Sequence, residues 1–70
     1  MDLKQNRITI GELLDYPPAR AVLARRFPTA MKHPMLPAAR SMTLSALLPL
    51  ARTAADEGQI RAALEELRRL

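Results

Sequence analysis

Apolar residues in this chain fall at helical spacing. The clearest stripe is Ile60, Ala63, Leu64, Leu67 and Leu70, whose members lie 3, 4, 7 and 10 positions from the first. It predicts a helix over about 57–70, with Asp56 as N-cap and Gln59 at the capping-box position. Glu65 and Arg69 stand four apart on its outer face, and Arg68 and Arg69 lie where the helix dipole favours cations. A second stripe, Ala19, Val22, Leu23 and Phe27, predicts a helix over about 17–27. Pro17 and Pro18 suit its first turn, Asp15 can cap it, and Pro28 ends it.

Two further helix starts come from one phrase used twice. Ile8-Thr9-Ile10-Gly11-Glu12-Leu13-Leu14 returns 34 positions later as Met42-Thr43-Leu44-Ser45-Ala46-Leu47-Leu48. Each copy offers an apolar residue, a threonine cap and an apolar stripe. In the first copy, Glu12 can reach back to the Thr9 amide, and Ile8 and Leu13 have hydrophobic-staple spacing. In the second, Met42 and Leu47 form the staple, and Ala46 leaves the capping box incomplete. Tyr16-Pro17 ends the first helix, because proline disfavours helical geometry in the residue before it. Pro49 is expected to limit or kink the second, with 50–55 continuing as another short turn. The repetition suggests two similar helix–turn units packed face to face. Seven residues are too few to separate a duplication from two independent capped starts.

Between the copies, Pro28, Pro34 and Pro37 prevent a long helix, which leaves one-turn helices at about 29–33 and 35–40. Residues 1–7 are polar and are expected to form a flexible N-terminus, with 8–70 as one helical domain. The fold class is therefore all-α: a compact single-domain bundle of four to five short helices. Its expected core is Ile10, Leu13, Leu14, Val22, Leu23, Phe27, Leu44, Leu47, Leu48, Ile60, Leu64 and Leu67.

Composition supports this. The chain has 70 residues, 49% of them hydrophobic, mostly Ala and Leu, with one Phe, one Tyr and no Trp. Strong helix formers with few β-branched residues favour thin, close-packed helices. A chain this short buries only about 60% of its unfolded surface, so its stability is expected to be marginal. Cysteine is absent, which points away from a small secreted disulfide framework and towards the cytoplasm. No apolar run approaches the roughly 20 residues of a membrane span, and the first residues lack a signal-peptide stretch. No membrane association is expected.

The net charge of +4 could draw the chain to nucleic acid or another polyanion. The arginines are dispersed, however, and the only adjacent pairs are Arg25-Arg26 and Arg68-Arg69. The helix over 17–27 offers Arg20, Arg25 and Arg26 but no Asn, Gln or Ser to read bases. The helix over 57–70 mixes Gln59, Arg61 and Arg68 with glutamates that repel phosphate.

Little in the sequence supports catalysis. There is no Cys nucleophile, and the single His33 cannot build a multi-histidine metal site. Gly11 and Gly58 are the only glycines, too few for a phosphate-cradling loop. Ser41 and Ser45 sit at a helix start, where capping explains them. Glu65 and Glu66 point about 100° apart on a helix and form no pair. A chain of this length is also expected to leave little room for a pocket of a few hundred Å³. No catalytic, cofactor or metal residues are assigned, and no cofactor is expected. Methionines 31 and 35 flank His33 and could complete a soft-metal site; methionine filling gaps in an irregular segment is the ordinary account.

The stretch 31–42 holds more apolar residues than a connector needs. Met31, His33, Met35, Leu36 and Met42 are therefore the candidate partner surface. The expected function is a small non-enzymatic interaction or accessory domain acting through a protein partner or self-association, a dimer being the simplest form. The alternative is a basic helical module for nucleic acid or another polyanion.

The order of motifs resembles the hybrid-cluster-protein-associated redox disulfide domain family. The carriers are Thr9-Ile10-Gly11-Glu12-Leu13-Leu14-Asp15-Tyr16-Pro17, then Val22-Leu23, then Thr43-Leu44, so the likeness covers about 8–70. It implies a compact all-α domain. The family's Cys-x-x-Cys-Pro turn falls on Ala30 and His33 ahead of Pro34, and neither residue forms a disulfide. The resemblance thus implies a divergent member without thiol redox chemistry. His33-Pro34-Met35-Leu36 through Thr43-Leu44 is also similar to short helical segments appended to some bacterial hydrolases, where such a segment is a contact module.

Overall fold

In the computed structural model, which describes residues 1–70, the three best-formed helix starts are threonine or aspartate caps. The helices are α1 (Ile10–Asp15), α2 (Pro17–Arg26), α3 (Pro28–Met31), α4 (Leu36–Ala39), α5 (Leu44–Ala54) and α6 (Glu57–Arg69), preceded by a 3₁₀ turn at Lys4–Asn6. The chain is all-α and has no strand. Thr9 Oγ1 accepts from the Glu12 amide at 3.2 Å, Thr43 Oγ1 from the Ala46 amide at 3.2 Å, and Asp56 Oδ2 from the Gln59 amide at 3.3 Å. The return bonds differ from the expected boxes. The Glu12 carboxylate takes the Thr9 hydroxyl at 3.2 Å, and the Gln59 side chain turns to Arg26 at 3.1 Å.

Asp15 does not cap α2. It is the last residue of α1, and its carboxylate accepts from the Arg40 guanidinium at 2.7 Å; Tyr16 is the N-cap, without a side-chain bond. Pro49 does not end the second copy's helix either, because α5 runs through it to Ala54. Proline removes one bond, to the carbonyl four residues back. That residue, Ser45, is exposed.

The two copies of the phrase meet. Thr9 and Thr43 face each other in an isolated antiparallel bridge. The flanking bonds run from the Ile10 amide to the Met42 carbonyl at 2.9 Å and from the Leu44 amide to the Ile8 carbonyl at 2.8 Å. Each joins the third residue of one copy to the first of the other, giving the pair a local two-fold relation. The expected face-to-face packing is replaced by pairing at the starts. This solves a general problem, since the first amides of a helix have no intrahelical partner. In α1 the Ile10 amide goes to Met42, the Gly11 amide to the Arg40 carbonyl at 2.9 Å and the Glu12 amide to Thr9.

The core forms where α1, α2, α5 and α6 converge. Leu13 and Leu67 are its most enclosed large side chains, 0% and 1% exposed. Ile10, Leu14, Val22, Leu44, Leu48 and Ile60 are buried as the pattern predicts, and Leu3, Ile8, Ala19 and Ala63 join them. Leu23, Phe27, Leu47 and Leu64 are only half-buried. Leu3 belongs to the segment expected to be loosely held. Its seat, next to buried Ile8, requires a turn in which Lys4, Gln5 and Asn6 all have positive φ, a geometry that costs side-chain-bearing residues about 1–2 kcal/mol each. The Met1 nitrogen also donates to the carbonyls of Arg68 and Leu70, at 3.1 and 2.8 Å.

Candidate functional site: an apolar groove

The four half-buried core residues share one surroundings. α2 packs against α1, α3 and α6, whereas α5 packs chiefly against α6. The proline-broken connector and α5 therefore leave a groove of about 470 Å³ between them. This overturns the expectation that so short a chain holds no such space. The cause is side-chain size. The far end of α5 and its C-cap present Ala51, Ala54 and Ala55 to the gap, and the facing connector presents Ala30. Alanines continue an apolar stripe without filling the space beside it.

Of the 22 residues lining the groove, 18 are hydrophobic; the others are Arg26, Pro28, Thr29 and His33. Leu13, Leu14 and Leu67 reach its floor. Leu44, Leu47 and Leu48 form one wall, and Phe27, Met31 and Leu36 stand on the other side. Every polar member comes from the short stretch 26–33, so the polar chemistry is confined to one part of the rim.

The structure divides the sequence-derived partner surface. Met31 and Leu36 are half-buried and line the groove, as does exposed His33. Met35 is 61% exposed and lies outside it. Met42 is also outside; it is half-buried, and its carbonyl serves the bridge. The sequence pattern assigned Leu23, Phe27, Leu47 and Leu64 to the core; they pack against it half-buried and also line the groove. The signal that could have found them is the run of alanines on α5, which removes the volume needed to cover them. The Nδ1 of His33 accepts from the Met35 amide at 3.0 Å. No three His, Asp or Glu side chains gather to hold a metal ion.

Charge beside the groove is organised around Glu66. Its carboxylate accepts from Arg25 and from Arg26, the Arg26 Nε bond being 2.7 Å. The Arg26 bond, helped by the charges of Arg25, Arg26 and Arg69 and opposed by desolvation, holds the Glu66 carboxyl below the usual carboxylate value. A lowered folded value means that the cluster stabilises the fold above the unfolded pKa of about 4.3, and that this contribution is lost as pH falls through the folded value. Glu66→Gln is therefore expected to unfold at lower urea than the native chain at pH 7, with the gap closing below about pH 4. A gap of the same size at pH 7 and pH 3 would contradict this role for the carboxylate.

Elsewhere Lys4 pairs with Glu12, Arg40 with Asp15, Arg52 with Glu57 and Arg69 with Glu65. Arg7, Arg20, Lys32, Arg61 and Arg68 have no acidic partner, and they come from four separate parts of the chain. On α6, Glu65 lies between Arg61 and Arg68 on the same exposed side. This mixture departs from the continuous basic face that a polyanion reader uses.

No family model matches this chain, and no curated protein or solved structure matches it. No helix is long and apolar enough to cross a membrane.

Proposed function

We propose that this chain is a small non-enzymatic interaction module whose working site is the apolar groove. The observation that carries this reading is an opening of about 470 Å³ with 18 hydrophobic lining residues, continuous with the core of a 70-residue fold. Protein interiors rarely keep such space unfilled, and a concave apolar site with a few polar rim groups is the ordinary form of a binding site. The rim chemistry also favours binding over turnover. Arg26 is engaged by Glu66 and Gln59, and His33 Nδ1 takes the Met35 amide.

Two finer readings accompany it. The absence of cysteine supports a cytoplasmic setting. The motif order supports a divergent member of the hybrid-cluster-protein-associated redox disulfide domain family, in which the cysteine positions have become Ala30 and His33; both line the groove. A polyanion-binding role is the second reading, supported by the net charge and weakened by the pairing of six of the eleven cations.

A photo-crosslinker placed in living cells tests the groove. At exposed Ala54, which lines it, a discrete protein adduct is expected, lost when Leu47→Glu is added. At Arg61, outside the groove, no such adduct is expected. Equal adducts at both positions, or none at Ala54, would remove the reading.

A further inference from the structure

We infer that the groove takes an amphipathic helix of a partner protein, with a carboxylate beside its apolar face. This rests on the groove being the working site, and it names the chemistry of the occupant.

The first argument is the shape of the walls. Leu44, Leu47, Leu48, Ala51 and Ala54 face the gap from α5, and its C-cap residue Ala55 joins them. The five on α5 have the spacing of one helical stripe, about 15 Å long and so about three turns. Ile60, Ala63, Leu64 and Leu67 face it from α6 at helical spacing too. Two adjacent helical stripes present ridges of the kind into which a third helix packs.

The second argument is charge. No carboxylate lines the groove, while Arg26 does. Its guanidinium and that of Arg25 share the single carboxylate of Glu66, which leaves one positive charge uncompensated. Arg25 is 63% exposed in that cluster and open to a second anion. Lys32, exposed and without an acidic partner, follows in the same connector.

A second copy of the chain is disfavoured as occupant. The large apolar residues this chain exposes are Tyr16, Met35, Leu50 and Leu70. They lie on separate elements and make no stripe.

Two capped helical peptides of about 15 residues test this, each with leucines at i, i+3, i+4 and i+7. One carries glutamates flanking the stripe and the other carries lysines there. Titrated into the methyl-labelled chain at low salt, the glutamate peptide is expected to shift the Leu47, Leu64 and Met31 methyls. Its affinity is expected to exceed that of the lysine peptide by about threefold or more. Thr29→Glu, a change on the exposed rim, should shrink or reverse that preference. Equal or lysine-favouring affinity at the same methyls would overturn the acidic partner while leaving the groove as a binding site. Failure of both peptides to reach those methyls would overturn the helical partner, and the crosslinking result at Ala54 then decides whether the groove binds any protein. Shifts produced by dodecanoate alone, or by raising the concentration of the chain itself, would assign the groove to a fatty carboxylate or to a second copy and would equally overturn the inference.

Discussion

Leu13→Ala is expected to cost about 3–4 kcal/mol, a large share of the stability of so short a chain. Leu13 is 0% exposed and sits where the first helix meets the core. Deleting a buried leucine removes its transfer energy and leaves a cavity, about 2–5 kcal/mol in total. At about 0.05–0.15 kcal/mol per residue, a chain of this length has about 4–10 kcal/mol to lose. The groove gives the site an open flank, so neighbours are able to relax inward, and a cost in the middle of the range follows. Urea denaturation followed by circular dichroism measures it. A loss below about 1 kcal/mol would mean that Leu13 is not the centre of the core.

Gly11→Val is expected to destabilise by about 2 kcal/mol or more, while Gly11→Ala stays close to neutral. A Cβ at Gly11 would lie 3.1 Å from the Arg40 carbonyl oxygen and 3.5 Å from the Arg40 Cβ. That same oxygen accepts the Gly11 amide at 2.9 Å, so a push on it strains a bond that lies next to the Ile10–Met42 bond of the bridge. Alanine gains about 1 kcal/mol of helix propensity, which offsets a shift of a few tenths of an ångström. Valine adds two methyls to the same crowded place and gains less propensity. Amide exchange at Ile10 and Leu44 reports on the bridge directly, and both amides are expected to exchange faster in the valine variant. Equal stability of the two variants would show that the approach of Arg40 does not constrain this position.

What the sequence conveyed about this fold was local. Thr9, Thr43 and Asp56 announced their helices because an N-cap acts over three residues. The stripe on α6 announced the buried Ile60, Ala63 and Leu67 because one periodic face meets one core. Relations between distant residues were not legible. The repeated phrase was visible, but the pairing of Ile8 to Leu44 and of Ile10 to Met42 depends on how the intervening chain returns. Asp15 has the composition of a cap, and only the arrival of Arg40 shows its other use. Pro49 reads as a stop, yet α5 runs through it to Ala54. The groove was the least visible feature. It arises from volume that Ala51, Ala54 and Ala55 do not supply, and a pattern that scores each alanine simply as apolar does not register the gap. Met31, His33 and Leu36 were found for their composition, and Leu47 and Leu64 were assigned to a core that does not close over them.

The central claim is that this small helical fold keeps an apolar groove open. Paramagnetic relaxation by a soluble spin label, read at the side-chain methyls of the dilute chain, tests it most directly. The account predicts strong broadening at Met31, Leu36, Leu47 and Leu64, with Leu13 and Leu67 protected. Protection of all six alike would mean that α5 has closed on the connector or that something already covers the groove, and the account would be wrong.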